Sequence, residues 1–239
     1  MRLIELDNID VSFGGLRALN GVSFGLDQGG IVGLVGPNGA GKTTMFDVLS
    51  GFVRPTTGRL RYDGVDITHL APHKRARRGI GRTFQTPQPL HGLTVRENVA
   101  IGTHFAGRLD HAEAAPEIDD ILDMVGLADK QHANAVSDLS LTEKKALEVA
   151  KALSCRARLL LLDEVMAGLT VVDKRAFAET IRRVNRKYGV CILMIEHDIE
   201  TISTLCPRVV VLNFGRLIAD AAPDAVFSDR EVMESYTGE

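Results

Sequence analysis

Residues 31–50 read IVGLVGPNGAGKTTMFDVLS, and this stretch decides the fold. Ile31–Val35 is a continuous apolar run, the mark of a strand buried on both faces. KTTMFDVLSG, from Lys42, reads as a helix stopped by Gly51. Between them Gly36–Thr43, GPNGAGKT, fits GxxxxGK[ST] with a strand before it and a helix after it, the context that the motif requires. Glycines let such a loop wrap closely, so that backbone N–H groups and the helix N-terminus point at phosphate oxygens. In that arrangement Lys42 reaches the β- and γ-phosphates and Thr43 sets its hydroxyl on Mg²⁺, while the backbone of Asn38, Gly39, Ala40 and Gly41 holds the rest.

Upstream, LIEL, the FGG turn, GVSFGL and QGG read as short antiparallel strands. Downstream, RPTTGRLRYDG reads as a turn and an edge hairpin. From about Thr86 to Ser137 the character changes, through TPQPLHG, VRENVAIG, an alanine-rich stretch and EIDDILDMVGL, to that of an inserted, mainly helical subdomain. With the amphipathic helix EKKALEVAKAL, whose lysines are expected off the apolar face, the subdomain covers about residues 86–157 of a single 1–239 domain. RLLLLDE, the helix DKRAFAETIRRVNRKYG, the strand CILMIEH, another helix and RVVVL complete an alternation that predicts an α/β fold with a mostly parallel sheet.

RLLLLDE delivers Asp163 and Glu164 to the C-terminal edge of its strand, the edge where open α/β sheets bind ligands. Asp163 suits an outer role on Mg²⁺, and Glu164 suits a general base or water-orienting group.

The bulk numbers agree with this reading. The 239 residues are 45% hydrophobic and 25% charged, enough for a real core. A net charge of −3 argues against nonspecific grip on nucleic acid, and the run HKRARR at His73–Arg78 reads as a solvated helix face. The three cysteines, Cys155, Cys191 and Cys206, form no metal-binding spacing and fit a reducing compartment. The start MRLIELDNIDVSF lacks the pattern of a signal segment, and no apolar run reaches the ~18–20 residues needed to span a bilayer.

Gly36 to Thr44 and the Asp163–Glu164 pair resemble the Walker A and Walker B motifs of ABC (ATP-binding cassette) ATPases, and the likeness runs along essentially the whole chain. The fold implied is a P-loop NTPase core with an N-terminal antiparallel β subdomain and an inserted helical subdomain, binding ATP and Mg²⁺ and hydrolysing the ATP. The resemblance makes Gln85, in RTFQ, the Q-loop glutamine that senses Mg²⁺ and the attacking water. His197, in MIEHD, becomes the switch histidine on the γ-phosphate, and Thr44 joins the nucleotide-binding loop. Phe13 matches the aromatic that stacks on adenine, with Phe24 a competing candidate. FGGLRALNGVSF, GRTFQ, LTVRENV, EVMAGLT, IEHDI and the tail ending TGE are most similar to the ATP-binding subunit of branched-chain amino acid importers, the LivG-like type. That resemblance implies integral membrane permease subunits, a second ATPase subunit and, indirectly, a periplasmic or extracellular solute-binding protein. It also implies a peripheral position on the cytoplasmic face of the inner membrane. Importers of amides or aromatic acids look alike in this subunit.

Two departures stand out. The family's LSGGQ signature, which caps the γ-phosphate across a dimer, is here Leu139-Ser140-Leu141-Thr142-Glu143, with Ser140 kept and both glycines gone. Ser140 and Glu143 also fit a capping box, S-x-x-E. At ~10 Å and an effective dielectric of ~20, the Glu143 charge disfavours each phosphate charge by about 1–2 kcal/mol before screening. The second departure lies in Ala167-Gly168-Leu169-Thr170, at the family's D-loop, where the usual aspartate is absent. The first departure points to a heterodimer with an ATPase subunit that carries a better signature, a homodimer being the alternative. A non-transport ABC ATPase and a small-molecule P-loop kinase are the rival functions; a kinase has no need of RTFQ, an LS-helix element and a post-strand histidine in this order.

Overall fold

Apolar side chains at alternating positions make the first two strands, β1 (Arg2–Phe13) and β2 (Leu16–Asp27). They are joined at Gly14-Gly15, with Phe13 opposite Leu16. These are two 12-residue strands rather than several short ones. Register shifts, one of them between Leu6 and Ile9, reset the alternation along a single strand and so disguise its length. The computed structural model describes residues 1–105 and 111–237, so Gly238 and Glu239 of the tail and part of the alanine-rich stretch lie outside the described residues.

The chain continues through β3 (Ile31–Val35), α1 (Lys42–Ser50), β4 (Thr57–Tyr62), β5 (Val65–Asp66), α2 (Pro72–Ala76) and β6 (Ile80–Arg82). Next come α3 (Val95–Phe105), α4 (His111–Val125), a short 3₁₀ turn (Ala128–Lys130), α5 (Leu141–Ser154) and β7 (Leu159–Asp163). It ends with α6 (Val171–Tyr188), β8 (Cys191–Ile195), α7 (Ile199–Leu205), β9 (Arg208–Asn213), β10 (Arg216–Ala221), α8 (Pro223–Ser228) and α9 (Arg230–Thr237). The elements form two compact units, Met1–Arg75 with Cys191–Glu239, and Ala76–Val190.

The first unit holds an antiparallel sheet of order β2-β1-β4-β5, with the expected hairpin at its edge. It also holds β3 flanked in parallel by β8 and β9, with β10 antiparallel to β9. Every residue of β3 and β8 is buried, which accounts for their unbroken apolar sequences. Helix α1 ends as the sequence predicts, at Gly51 with φ 88° and its N–H on the Asp47 carbonyl, a left-handed cap that glycine favours.

Arg75 corrects the reading of His73–Arg78 as a solvated face, for it is only 1% exposed. Its Nε donates to the Leu70 carbonyl at 2.8 Å, and its terminal nitrogens donate to the carbonyls of Val48, Leu49, Ile67 and Thr68 at 2.5–3.0 Å. A short helix and a loop have turned their carbonyls inward, and one guanidinium with five donors satisfies them. His73, Lys74, Arg77 and Arg78 stay exposed.

In the second unit β6 runs parallel to β7, whose five residues are all buried. Helices α3, α4 and α5 pack together through Val95, Val99, Ile121, Leu122, Leu147 and Ala150. The lysines of α5 do not all lie off this packed face, since Lys145 is 4% exposed and Glu148 is buried as well. No helix among the described residues is long and apolar enough to cross a membrane.

Candidate functional site

The phosphate-loop residues lie in the first unit. Gly36 has φ 143°, and a Cβ there would sit 2.0 Å from the Leu212 carbonyl oxygen, so only glycine lets the chain leave β3 along this path. Gly41, with φ 102°, stands directly before α1, and a Cβ there would sit 2.6 Å from the Ala18 carbonyl oxygen. The turn after β9 braces the loop: the Gly215 N–H donates to the Ala40 carbonyl at 3.0 Å, and the Asn20 N–H donates to the Gly215 carbonyl at 2.8 Å. Lys42 is folded into the loop, its Nζ donating to the Gly36 carbonyl at 2.6 Å and the Pro37 carbonyl at 2.9 Å. Asn38, Gly39 and Thr43 are exposed, Thr44 is half-buried and Ala40 is buried.

Burial separates the two aromatic candidates. Phe13 ends β1 with 51% of its surface exposed, whereas Phe24 is 7% exposed and belongs to the core. His197 is exposed just past β8, ahead of α7, whose N-terminus is capped by Asp198. The phenol of Tyr236, on α9, was missed by sequence reasoning; burial pushes its pKa up and a hydrogen bond with the Gly36 backbone pulls it back.

The acidic residues lie in the second unit. Asp163 closes β7, its N–H donating to Thr83 Oγ1 at 3.1 Å and its carboxylate lying 3.4 Å from the Arg82 guanidinium. The side chains of this pair are 8% and 10% exposed, so the ion pair is desolvated. Glu164 has the left-handed φ of 48°, which residues other than glycine seldom adopt. Gln85 Nε2 donates to its Oε2 at 2.7 Å, so the expected glutamine and the expected base meet directly. Lys145 Nζ donates to the Glu164 carbonyl at 3.1 Å. Beyond Gln85, the Gln88 N–H donates to Glu148 Oε1 at 2.9 Å, and Lys151 Nζ donates to the Gln88 carbonyl at 2.8 Å and to Glu148 at 2.9 Å.

Arg82 and Lys145 are thus neighbours of the acids that sequence reasoning did not assign. Arg82 is the last residue of β6, and the available signal was its place in the same RTFQ run that pointed to Gln85.

At the N-terminus of α5, Ser140 Oγ accepts from the Glu143 N–H at 3.3 Å, and Glu143 Oε2 accepts from the Ser140 N–H at 2.8 Å, which closes the capping box. Lys130, 2.6 Å away, holds the Glu143 carboxyl below the usual carboxylate range, aided by the bond from the Ser140 backbone. That cation offsets much of the repulsion expected of a lone carboxylate. Thr170 likewise caps α6, accepting from the Asp173 N–H, so the position that lacks the D-loop aspartate serves as a helix start. Ser140→Ala is expected to lower stability by about 1 kcal/mol, the usual effect of losing a cap, as read by urea denaturation. An unchanged midpoint would contradict the box.

Among the described residues no cluster of three or more His, Cys, Asp or Glu side chains is poised to hold a metal. A hard cation that keeps waters and arrives on phosphate oxygens needs few protein ligands, and hydroxyl and carboxylate oxygens such as those of Thr43 and Asp163 suit it.

Residues 19–167 match the ABC transporter family. The chain is 34% identical to the high-affinity branched-chain amino acid transport ATP-binding protein BraF of Pseudomonas aeruginosa, over 99% of this chain and 98% of that protein. It is 35% identical to a probable branched-chain amino acid transport ATP-binding protein LivG of Archaeoglobus fulgidus, over 100% of this chain and 96% of that one. Among solved structures, an ATP-binding cassette of an ABC transporter in its ADP conformation superposes with a TM-score of 0.91 at 30% identity, covering 100% of both chains.

Proposed function

The chain belongs to the ABC transporter family of ATP-binding subunits, and from that premise we propose that it energises the import of branched-chain amino acids or closely related solutes. It is an ATPase that binds nucleotide and works with membrane permease subunits. The solute assignment rests on one observation, the end-to-end similarity to BraF and LivG proteins, with at least 96% of each relative covered.

In this reading Lys42 leaves the carbonyls of Gly36 and Pro37 for the β- and γ-phosphates, and the amides from Asn38 to Thr44 bind the remaining oxygens. Thr43 and Asp163 offer oxygens to Mg²⁺, with Gln85 adding its side-chain carbonyl. Mg²⁺, when bound, neutralises phosphate charge. Phe13 stacks on adenine and His197 contacts the γ-phosphate. Glu164 takes the proton of the attacking water while Gln85 aligns that water, the two side chains already sharing a hydrogen bond.

Ser140 is offered in trans to the nucleotide of a second ATPase subunit. With Glu143 opposed by Lys130, the main obstacles at LSLTE are Leu141, 47% exposed, and the two missing glycines. These still favour a different partner subunit over a second copy. The assembly would sit on the cytoplasmic face of the inner membrane and receive solute through a binding protein outside it. A nucleic-acid role is disfavoured by net charge and by the loss of Arg75 from the basic surface.

The test is purification of the assembly through a tag on this chain. The expected result is an integral membrane permease, a second ATPase subunit and ATP turnover stimulated by leucine-loaded binding protein. Stimulation only by amides or aromatic acids would overturn the solute, and recovery without any membrane protein would overturn the transport role.

A further inference from the structure

The buried cation of the signature helix sits on the residue proposed to activate water. Glu164 holds a backbone conformation with φ 48°, and such strained positions persist only where the surroundings over-determine them. Three donors do so. Gln85 donates to the carboxylate at 2.7 Å, and the peptide carbonyl of the same residue accepts from the Ala167 N–H and from the Lys145 ammonium, each at 3.1 Å, the ammonium being the charged donor of the pair. A hydrogen bond from a charged donor is roughly twice as strong as a neutral one. Burying an ammonium to 4% exposure is unfavourable unless it is well bonded.

Lys145 is also rigidly carried. It lies within the first two turns of α5, whose N-terminus is locked by the Ser140–Glu143 box. One turn further on, Glu148 and Lys151 grip both backbone groups of Gln88, three residues past Gln85. One helix therefore fixes the backbone of Glu164 and the stretch that follows Gln85. Without Lys145 the Glu164 carbonyl loses its charged donor, and the strain at residue 164 meets less opposition to a relaxation that re-aims the side chain.

We propose that Lys145 is a positioning residue for hydrolysis, holding Glu164 in the strained conformation that lets its carboxylate and the Gln85 amide address one water. The proposal rests on the reading of Glu164 as the base.

The experiment uses the transporter complex purified through this chain, with kcat, KM for ATP and the thermal midpoint measured for Lys145→Met, Lys145→Arg, Glu164→Gln and the double variant K145M/E164Q. Misplacement of a catalytic group by about 1 Å is worth up to roughly a hundredfold, so K145M is expected to lower kcat roughly tenfold to a hundredfold with KM nearly unchanged. K145R, which keeps a charged donor, is expected to restore kcat to within about threefold of wild type. The double variant is expected to be no slower than E164Q, because residues that act as a unit are not additive. A K145M complex that loses thermal stability yet keeps its kcat per folded molecule would overturn the proposal, leaving Lys145 a packing residue. Should K145M not fold, a folded K145R that has lost tenfold or more of kcat at unchanged KM would overturn it too. E164Q separates the two claims: full activity in E164Q removes the base reading, while an inactive E164Q beside a fully active K145M removes only the role of Lys145.

Discussion

Replacing Glu164 by glutamine is expected to lower ATP turnover by roughly a hundredfold to a thousandfold, an increase of about 3–4 kcal/mol in the barrier. The substitution keeps the shape of the side chain, and an amide oxygen accepts from Gln85 Nε2 as the carboxylate oxygen does. The Lys145 bond goes to the backbone carbonyl and is untouched. On the reading of Glu164 as the base, what is lost is the charge that takes a proton from water. The phosphate-loop residues, Gly36 to Thr44, keep their sequence, so nucleotide affinity is expected to stay within a few-fold of wild type. Steady-state hydrolysis and a nucleotide-binding titration, run side by side, check both halves. A variant that turns over at the wild-type rate would remove Glu164 from the reaction.

Arg75→Met is expected to have the largest effect on stability, a loss of about 3–5 kcal/mol by urea denaturation. Methionine fills a similar volume but donates nothing, and the carbonyls of Val48, Leu49, Ile67, Thr68 and Leu70 lose a common donor away from water. Two of them, Val48 and Leu49, belong to the last turn of α1, where a positive charge also complements the helix dipole. Burial pulls the Arg75 pKa to about 10, which leaves the group charged at neutral pH. Lysine, with three donors on one nitrogen, cannot span five carbonyls, so R75K recovers only part of the loss. A fall of less than about 1 kcal/mol in R75M would mean that the carbonyls find other donors.

The contrast between these residues shows what the sequence discloses. The phosphate loop is legible because its strand, glycines, lysine and helix are contiguous, and each glycine reports a backbone need that its neighbours reveal. The capping box is legible for the same reason, since S-x-x-E closes within one turn. Arg75 is not, because its partners come from 48–49 and 67–70 and nothing in HKRARR distinguishes one cation from the next. Lys145 hides in the same way, its acceptor lying 19 residues away. Phe13 and Phe24 could be told apart only by burial, once the register shifts between β1 and β2 had decided which ring faces the core. The terminal elements β10, α8 and α9 carried no chemical motif and went unread, although α9 brings Tyr236 to Gly36.

The left-handed backbone at Glu164 bears on how this position responds to selection. A glutamate held there costs about 1–3 kcal/mol relative to a relaxed residue, and glycine would relieve that strain outright. Selection for a sturdier chain would therefore drift away from glutamate. On the reading of Glu164 as the base, a chain that keeps glutamate here forgoes folding stability that glycine would supply.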